Sequence, residues 1–137
     1  MIYVTVLSFS TQGQVMPKLG TIWNKGGHTE TKLYVPKYGL INSVEIEVDD
    51  VKFSLGLDNN NTIVFISTAD KSFKIGNAKF VGKKIKSFSK EINLINGWAN
   101  YISLDAGWFA ASDFKVLNDQ SKITFLFQYL DKSVEKN

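Results

Sequence analysis

The chain has 137 residues and a mass of 15.4 kDa, which is the size of one folded domain. Hydrophobic residues make up 44% and aromatic residues 13%, so the chain can bury a core and extensive disorder is excluded. The absence of cysteine excludes disulfides, thiolate metal sites and cysteine nucleophiles.

The net charge of +3 comes from 16 basic residues, all of them lysine, and 13 acidic residues. Arginine is the side chain that reads guanine and clamps phosphates with two parallel hydrogen bonds. Its absence argues against sequence-specific nucleic-acid recognition, although lysine can still bind phosphate as a point charge. The local cluster at Lys83, Lys84, Lys86 and Lys90 is typical of a solvated helix face. No stretch approaches the roughly 20 apolar residues that a membrane span needs, so we expect none.

Residues 1–13 read as a secretory signal without its basic start. Met1 to Phe9 is almost wholly apolar, and Thr11 and Gly13 are small residues that would suit positions −3 and −1 of a cleavage site. The mature chain, 14–137, would then be a single globular domain that is periplasmic or secreted. Alternatively, Ile2 to Ser8 is a β-strand of a cytoplasmic protein, since Val4, Thr5 and Val6 favour strands.

The clearest elements are strands. After a turn-rich segment over 15–31, residues 32–35 form a short strand that Pro36 ends. Apolar and polar residues then alternate over 44–48 and 51–57, on either side of an Asp49-Asp50 turn. Asp58 to Asn61 predicts a second turn, and 62–67 predicts a central strand with two apolar faces. The strands over 44–48, 51–57 and 62–67 are predicted to form one antiparallel meander.

One helix is predicted over 83–91. Phe80, Val81, Ile85, Phe88 and Ile92 follow spacings of 1, 4, 3 and 4, which form one apolar stripe of a helix that begins near Gly82.

Residues 97–112 predict a β-hairpin that turns at Asp105-Ala106-Gly107, and alternation over 123–129 predicts the last strand. The predicted fold class is therefore α+β: a predominantly antiparallel sheet of six to eight strands with one helix packed on a face. The residues expected in the core are Val44, Ile46, Val48, Phe53, Leu55, Ile63, Phe65, Ile85, Phe88, Phe125 and Phe127.

The search for catalytic chemistry finds little. His28 is the one histidine, in a loop beside glycines, which is typical of exposure. Residues 58–62 resemble a calcium loop superficially, but lack its glycine and distal glutamate, so a turn is expected. Asp105 and Asp113 flank the hairpin and are the one carboxylate pair considered for glycosidase chemistry. We expect no enzyme, no cofactor and no metal site.

The candidate binding residues are aromatic. Trp98, Tyr101 and Trp108 crowd the predicted hairpin, and tryptophan beside small residues can hold a sugar ring or a partner's side chain. The same residues could equally be core. Trp98 shares a predicted face with Ile102 and Leu104, so we expect it in the core and Trp108 at the surface.

Residues 51–129 resemble small exported proteins of unknown function from Bacteroidetes-type bacteria. The matching segments are IVFISTADKSF before the Gly82 helix, GWANYISLDAGW in the hairpin and KITFLFQY in the last strand. The resemblance implies an envelope or secreted setting and carries no catalytic residues.

Together these features predict an exported, non-enzymatic binding module that occupies a protein partner, of the inhibitor or immunity type. The alternative is an envelope protein that binds a small glycan or ligand through the aromatic hairpin. The oligomeric state is not predicted.

Overall fold

The structure is a computed structural model that describes residues 16–25, 28–95, 97–113 and 115–131, with the backbone alone at 28–31. These residues form mostly antiparallel β-structure, which confirms the predominance of strands. They fall into two compact units. The first contains the described residues up to Ile66 with Leu130 and Asp131, and the second spans Ser67–Tyr129. The proposed signal or first strand, 1–13, lies outside the described residues.

The first unit contains the predicted three-stranded meander, with one further strand beside it. Its strands are β1 (His28–Val35), β2 (Gly39–Val48), β3 (Val51–Leu57) and β4 (Ile63–Thr68), which lie side by side in chain order; β4 continues past Ile66 into the second unit. β1 is longer than predicted and is irregular in register between His28 and Lys32. Because consecutive strands are neighbours, tight turns can join most of them.

Two predicted turns have identifiable backbone causes. Asp49 and Asp50 have φ of +52° and +67°, as a two-residue hairpin turn requires, and Val48 pairs with Val51 across it. The Asp58 carboxylate accepts hydrogen bonds from the backbone N–H of Asn60 (2.8 Å) and Thr62 (3.0 Å). This local bonding fixes the turn between β3 and β4.

The second unit contains the remaining strands. They are β5 (Lys74–Ile75), β6 (Ala78–Lys79), β7 (Asn93–Ile95), β8 (Ala99–Ser103), β9 (Phe109–Ser112) and β10 (Phe125–Tyr129). β5 and β6 form a small hairpin, and β10, β9, β8 and β7 lie side by side in that order. The hairpin predicted over 97–112 is present as β8 and β9, whereas β7 had no counterpart in the sequence prediction.

The helix predicted over 83–91 is wrong, and the described residues form a mostly β fold rather than the predicted α+β fold with a packed helix. Only Ile85–Ser87 is helical, as a single 3₁₀ turn. The preceding backbone turns at Val81 and Gly82 and pairs with a distant segment: Gly82 N–H donates to Ile123 O (2.8 Å), and Ile123 N–H donates to Lys83 O (2.8 Å). Gly82 also has φ of +92°, which an α-helix does not allow. The stripe is real only in part, because Ile85 is buried while Phe88 is 41% exposed.

The core prediction is otherwise largely confirmed. Ile46 and Phe125 are half-buried rather than buried, and Phe88 is exposed. The predicted core residues that are buried are Val44, Val48, Phe53, Leu55, Ile63, Phe65, Ile85 and Phe127.

Candidate aromatic binding face

Five aromatic side chains gather on one face of the β8–β9–β10 sheet, and we name them the aromatic face: Trp98, Tyr101, Phe109, Phe125 and Phe127. The strand register explains the grouping. Tyr101 and Phe125 both pair with Ala111 from either side, and Phe109 pairs with Phe127. The period of two along each strand then puts these side chains on one side of the sheet.

The rings of the aromatic face contact one another around Phe127. Phe127 is central: its ring lies 5.2 Å from Phe109 in a stacked arrangement and 5.9 Å from Tyr101 and from Phe125. Tyr101 also meets Phe109 edge-on at 5.7 Å. Ala111 lies between Tyr101 and Phe125 in the register and is fully buried, so its small side chain leaves room for the larger ones.

Trp98 completes the aromatic face from a turn. Its backbone N–H donates to Ile95 O (3.0 Å) in the turn that joins β7 to β8, where Gly97 has φ of +76°. Its ring lies edge-on to Phe127 at 4.9 Å and to Phe125 at 5.6 Å. The prediction that Trp98 shares a face with Ile102 is therefore wrong, because the alternation of a strand does not extend into a turn.

The exposure of the aromatic face is graded. Phe127, at its centre, is buried, whereas the other four rings are each half-buried. On the opposite face of the same strands Ile102, Ala110 and Leu126 are almost fully buried. The sheet thus has a closed apolar side and an aromatic side that solvent or a partner can reach.

Trp108 does not belong to the aromatic face, and the expectation that it lies at the surface is wrong. It is 7% exposed and its ring packs against Phe73 at 5.0 Å. Its backbone closes the β8–β9 loop, where Leu104 N–H donates to Trp108 O (2.8 Å). Small neighbours in the sequence indicated a surface platform, but the long-range contact with Phe73 covers the ring instead.

The carboxylate pair considered for glycosidase chemistry does not come together. Asp105 lies in the loop before β9 and Asp113 directly follows β9, so the four-residue strand separates them. At about 3.4 Å per residue that strand alone spans roughly 14 Å, beyond the separation of about 5–10 Å that such chemistry uses. His28 begins β1 rather than lying in a loop.

Sequence reasoning placed Trp98 and Tyr101 among the candidates but left Phe125 and Phe127 in the core. The signal that could have joined them is the spacing of two in the last strand, which puts both phenylalanines on one face. The pairing of β9 with β10 brings these phenylalanines beside Tyr101 and Phe109, and that pairing is not visible in the sequence.

Searches against protein-family models, curated proteins and solved structures find no match to this chain. Among the residues that the structure describes, no helix is long and apolar enough to cross a membrane.

Proposed function

We propose that the chain is an exported binding module that occupies a protein partner through the aromatic face, in the manner of an inhibitor or immunity protein. The observation that carries the proposal is the set of four half-buried rings around buried Phe127. Aromatic side chains are enriched where protein interfaces carry most of their binding energy, because they supply large contact areas at little conformational cost. The signal-like start and the resemblance to exported proteins support the location.

Trp98 is the first-choice contact residue. It stands in a turn at the margin of the aromatic face and contacts two of its rings edge-on, so its position is fixed before a partner arrives. A pre-positioned ring loses little rotamer freedom on binding, which favours affinity. Tyr101 adds a hydroxyl that can donate or accept a hydrogen bond at the same surface.

The test is affinity capture from an extract of the native host with three forms of the chain: wild type, Trp98→Ala and Leu40→Ala. Leu40 is 69% exposed and lies in the first unit, so Leu40→Ala removes apolar surface away from the aromatic face and is the control for Trp98→Ala. The proposal predicts one stoichiometric protein that wild type and Leu40→Ala retain and Trp98→Ala loses. Retention by all three forms would contradict the role of the aromatic face.

A glycan ligand is the alternative outcome. Saturable changes in tryptophan fluorescence on titration with a glycan panel, lost in Trp98→Ala and without a captured protein, would replace the protein partner with a sugar.

A further inference from the structure

A second surface of the Ser67–Tyr129 unit is strongly basic. This unit holds nine lysines and five acidic residues, a net charge of +4, while the rest of the sequence holds seven lysines and eight acidic residues, a net charge of −1. The two together give the +3 of the whole chain. The positive charge is therefore concentrated in one unit.

The backbone brings many of these lysines together. Lys74 pairs directly with Lys79 across the β5–β6 hairpin, and Lys84 pairs directly with Lys122 in an isolated bridge. The Lys71 side chain passes 3.6 Å from the point where a Cβ on Gly82 would lie. We name the group the lysine patch: Lys71, Lys74, Lys79, Lys83, Lys84, Lys86 and Lys122, all exposed.

Like charges directly opposite across paired strands destabilise the fold, and the patch contains two such pairs. Within the described part of the chain, its one ion pair joins Lys86 to Asp119 at 3.7 Å, and the Asp119 side chain is 93% exposed. An external anion would offset this repulsion. The arrangement therefore favours a ligand with many negative charges.

An exposed aromatic side chain lies among these lysines. The rings of Phe80 and Phe88 contact each other at 4.9 Å, and Lys83 N–H donates to Phe80 O (3.1 Å). Phe80 directly follows Lys79, and Phe88 lies two residues beyond Lys86. Phe88 is 41% exposed, so the patch presents apolar surface as well as charge.

We propose that the lysine patch binds the surface of a bilayer that contains anionic phospholipids. Lysines near such a surface are attracted to its headgroups, while an aromatic side chain between them enters the boundary with the acyl chains. A nucleic acid would also satisfy the charges, but the exposed Phe88 packed against Phe80 favours a surface with an apolar interior. This inference does not depend on the aromatic face.

The test is co-sedimentation of the full chain with vesicles of phosphatidylcholine alone or with 30 mol% phosphatidylglycerol, with added single-stranded DNA as competitor. The patch variant is Lys83→Gln/Lys84→Gln/Lys122→Gln. The matched control, Lys18→Gln/Lys32→Gln/Lys52→Gln, removes the same charge from exposed lysines of the first unit. Phosphatidylcholine vesicles measure any charge-independent binding by the apolar residues 1–9.

The wild type is expected to bind the anionic vesicles and to lose binding in 0.5 M salt. The patch variant should bind them about 100-fold more weakly, at about fivefold for each lysine, and the control variant much less so. Phe88→Ser should weaken binding by about three- to tenfold, with the charges intact. Trp98→Ala should bind vesicles as wild type does, which separates this surface from the proposed partner site.

Equal losses in the patch and control variants would overturn the proposal, as would equal binding to both vesicle types. Displacement by DNA at concentrations far below those of accessible lipid would reassign the patch to nucleic acid. Circular dichroism of each variant is the control that tests whether the fold is retained.

Discussion

Replacing Trp108 with alanine should destabilise the chain more than replacing Trp98 with alanine. Trp98 lies in the turn between β7 and β8, and Trp108 lies in the loop between β8 and β9. Trp108 is 7% exposed and packs on Phe73, so its removal leaves a cavity that the surrounding strands cannot fill. Phe or Trp to alanine at such a site costs about 3–5 kcal/mol.

Replacing Trp98 with alanine should lower the free energy of unfolding by less. It is half-buried, so part of its ring lies in solvent already, and its ring contacts include the edge-on pairs with Phe125 and Phe127. These pairs contribute about 0.5–1.5 kcal/mol each beyond the area that they bury, and the total loss is expected to stay below the roughly 3–5 kcal/mol at Trp108. The ordering Trp108 above Trp98 follows from burial and is the reverse of what the sequence pattern indicates.

The assay is urea unfolding followed by far-ultraviolet circular dichroism, because each substitution removes a fluorophore. With an m-value of about 1.5 kcal/mol per M, a loss of 4 kcal/mol lowers the midpoint by roughly 2–3 M. Tyr101→Phe serves as the conservative control and should shift the midpoint little. A loss below about 1 kcal/mol for Trp108→Ala, or a larger loss for Trp98→Ala, would refute the burial argument.

Three further outcomes are expected. Gly56→Ala should cost about 1–3 kcal/mol by overpacking, since the added Cβ would lie 2.9 Å from Ile41 Cδ1 and 3.1 Å from Phe65 Cβ, and a Cβ cannot move without its backbone; unchanged thermal unfolding would contradict this. Asp50→Gly should stabilise the chain by about 0.5–1 kcal/mol in the same assay, because Asp50 has φ of +67°; lowered stability would count against the turn assignment. Mass spectrometry of the protein from its native host should find an N-terminus near Gln14, and an intact chain starting at Met1 would contradict export.

Most of the strands were predictable because alternating apolar and polar residues and turn residues are visible within a short stretch of sequence. The alternation over 44–48 and 51–57 defines β2 and β3, and Asp49-Asp50 supplies the turn between them. The helix prediction is wrong because the same apolar spacing also fits a turn, a short paired segment and one 3₁₀ turn. Pairing of residues 82–85 with 121–123, which are far apart in sequence, decides between these conformations.

Two members of the candidate site, Trp98 and Tyr101, were predictable from the sequence, and its geometry was not. Trp98 and Tyr101 stand out by residue type, but their contact with Phe127 depends on β9 lying between β8 and β10. Burial of Trp108 likewise depends on Phe73, which is 35 residues earlier in the chain. Such long-range contacts leave no periodic trace in a single sequence.

The central claim, that the aromatic face holds a protein partner, is tested most directly by calorimetric titration of the captured partner with wild type, Trp98→Ala and Leu40→Ala. We expect Trp98→Ala to raise the dissociation constant by about 30-fold or more, equivalent to about 2 kcal/mol of binding free energy. Leu40→Ala should change it by no more than about twofold. An unchanged dissociation constant for a folded Trp98→Ala chain would contradict it.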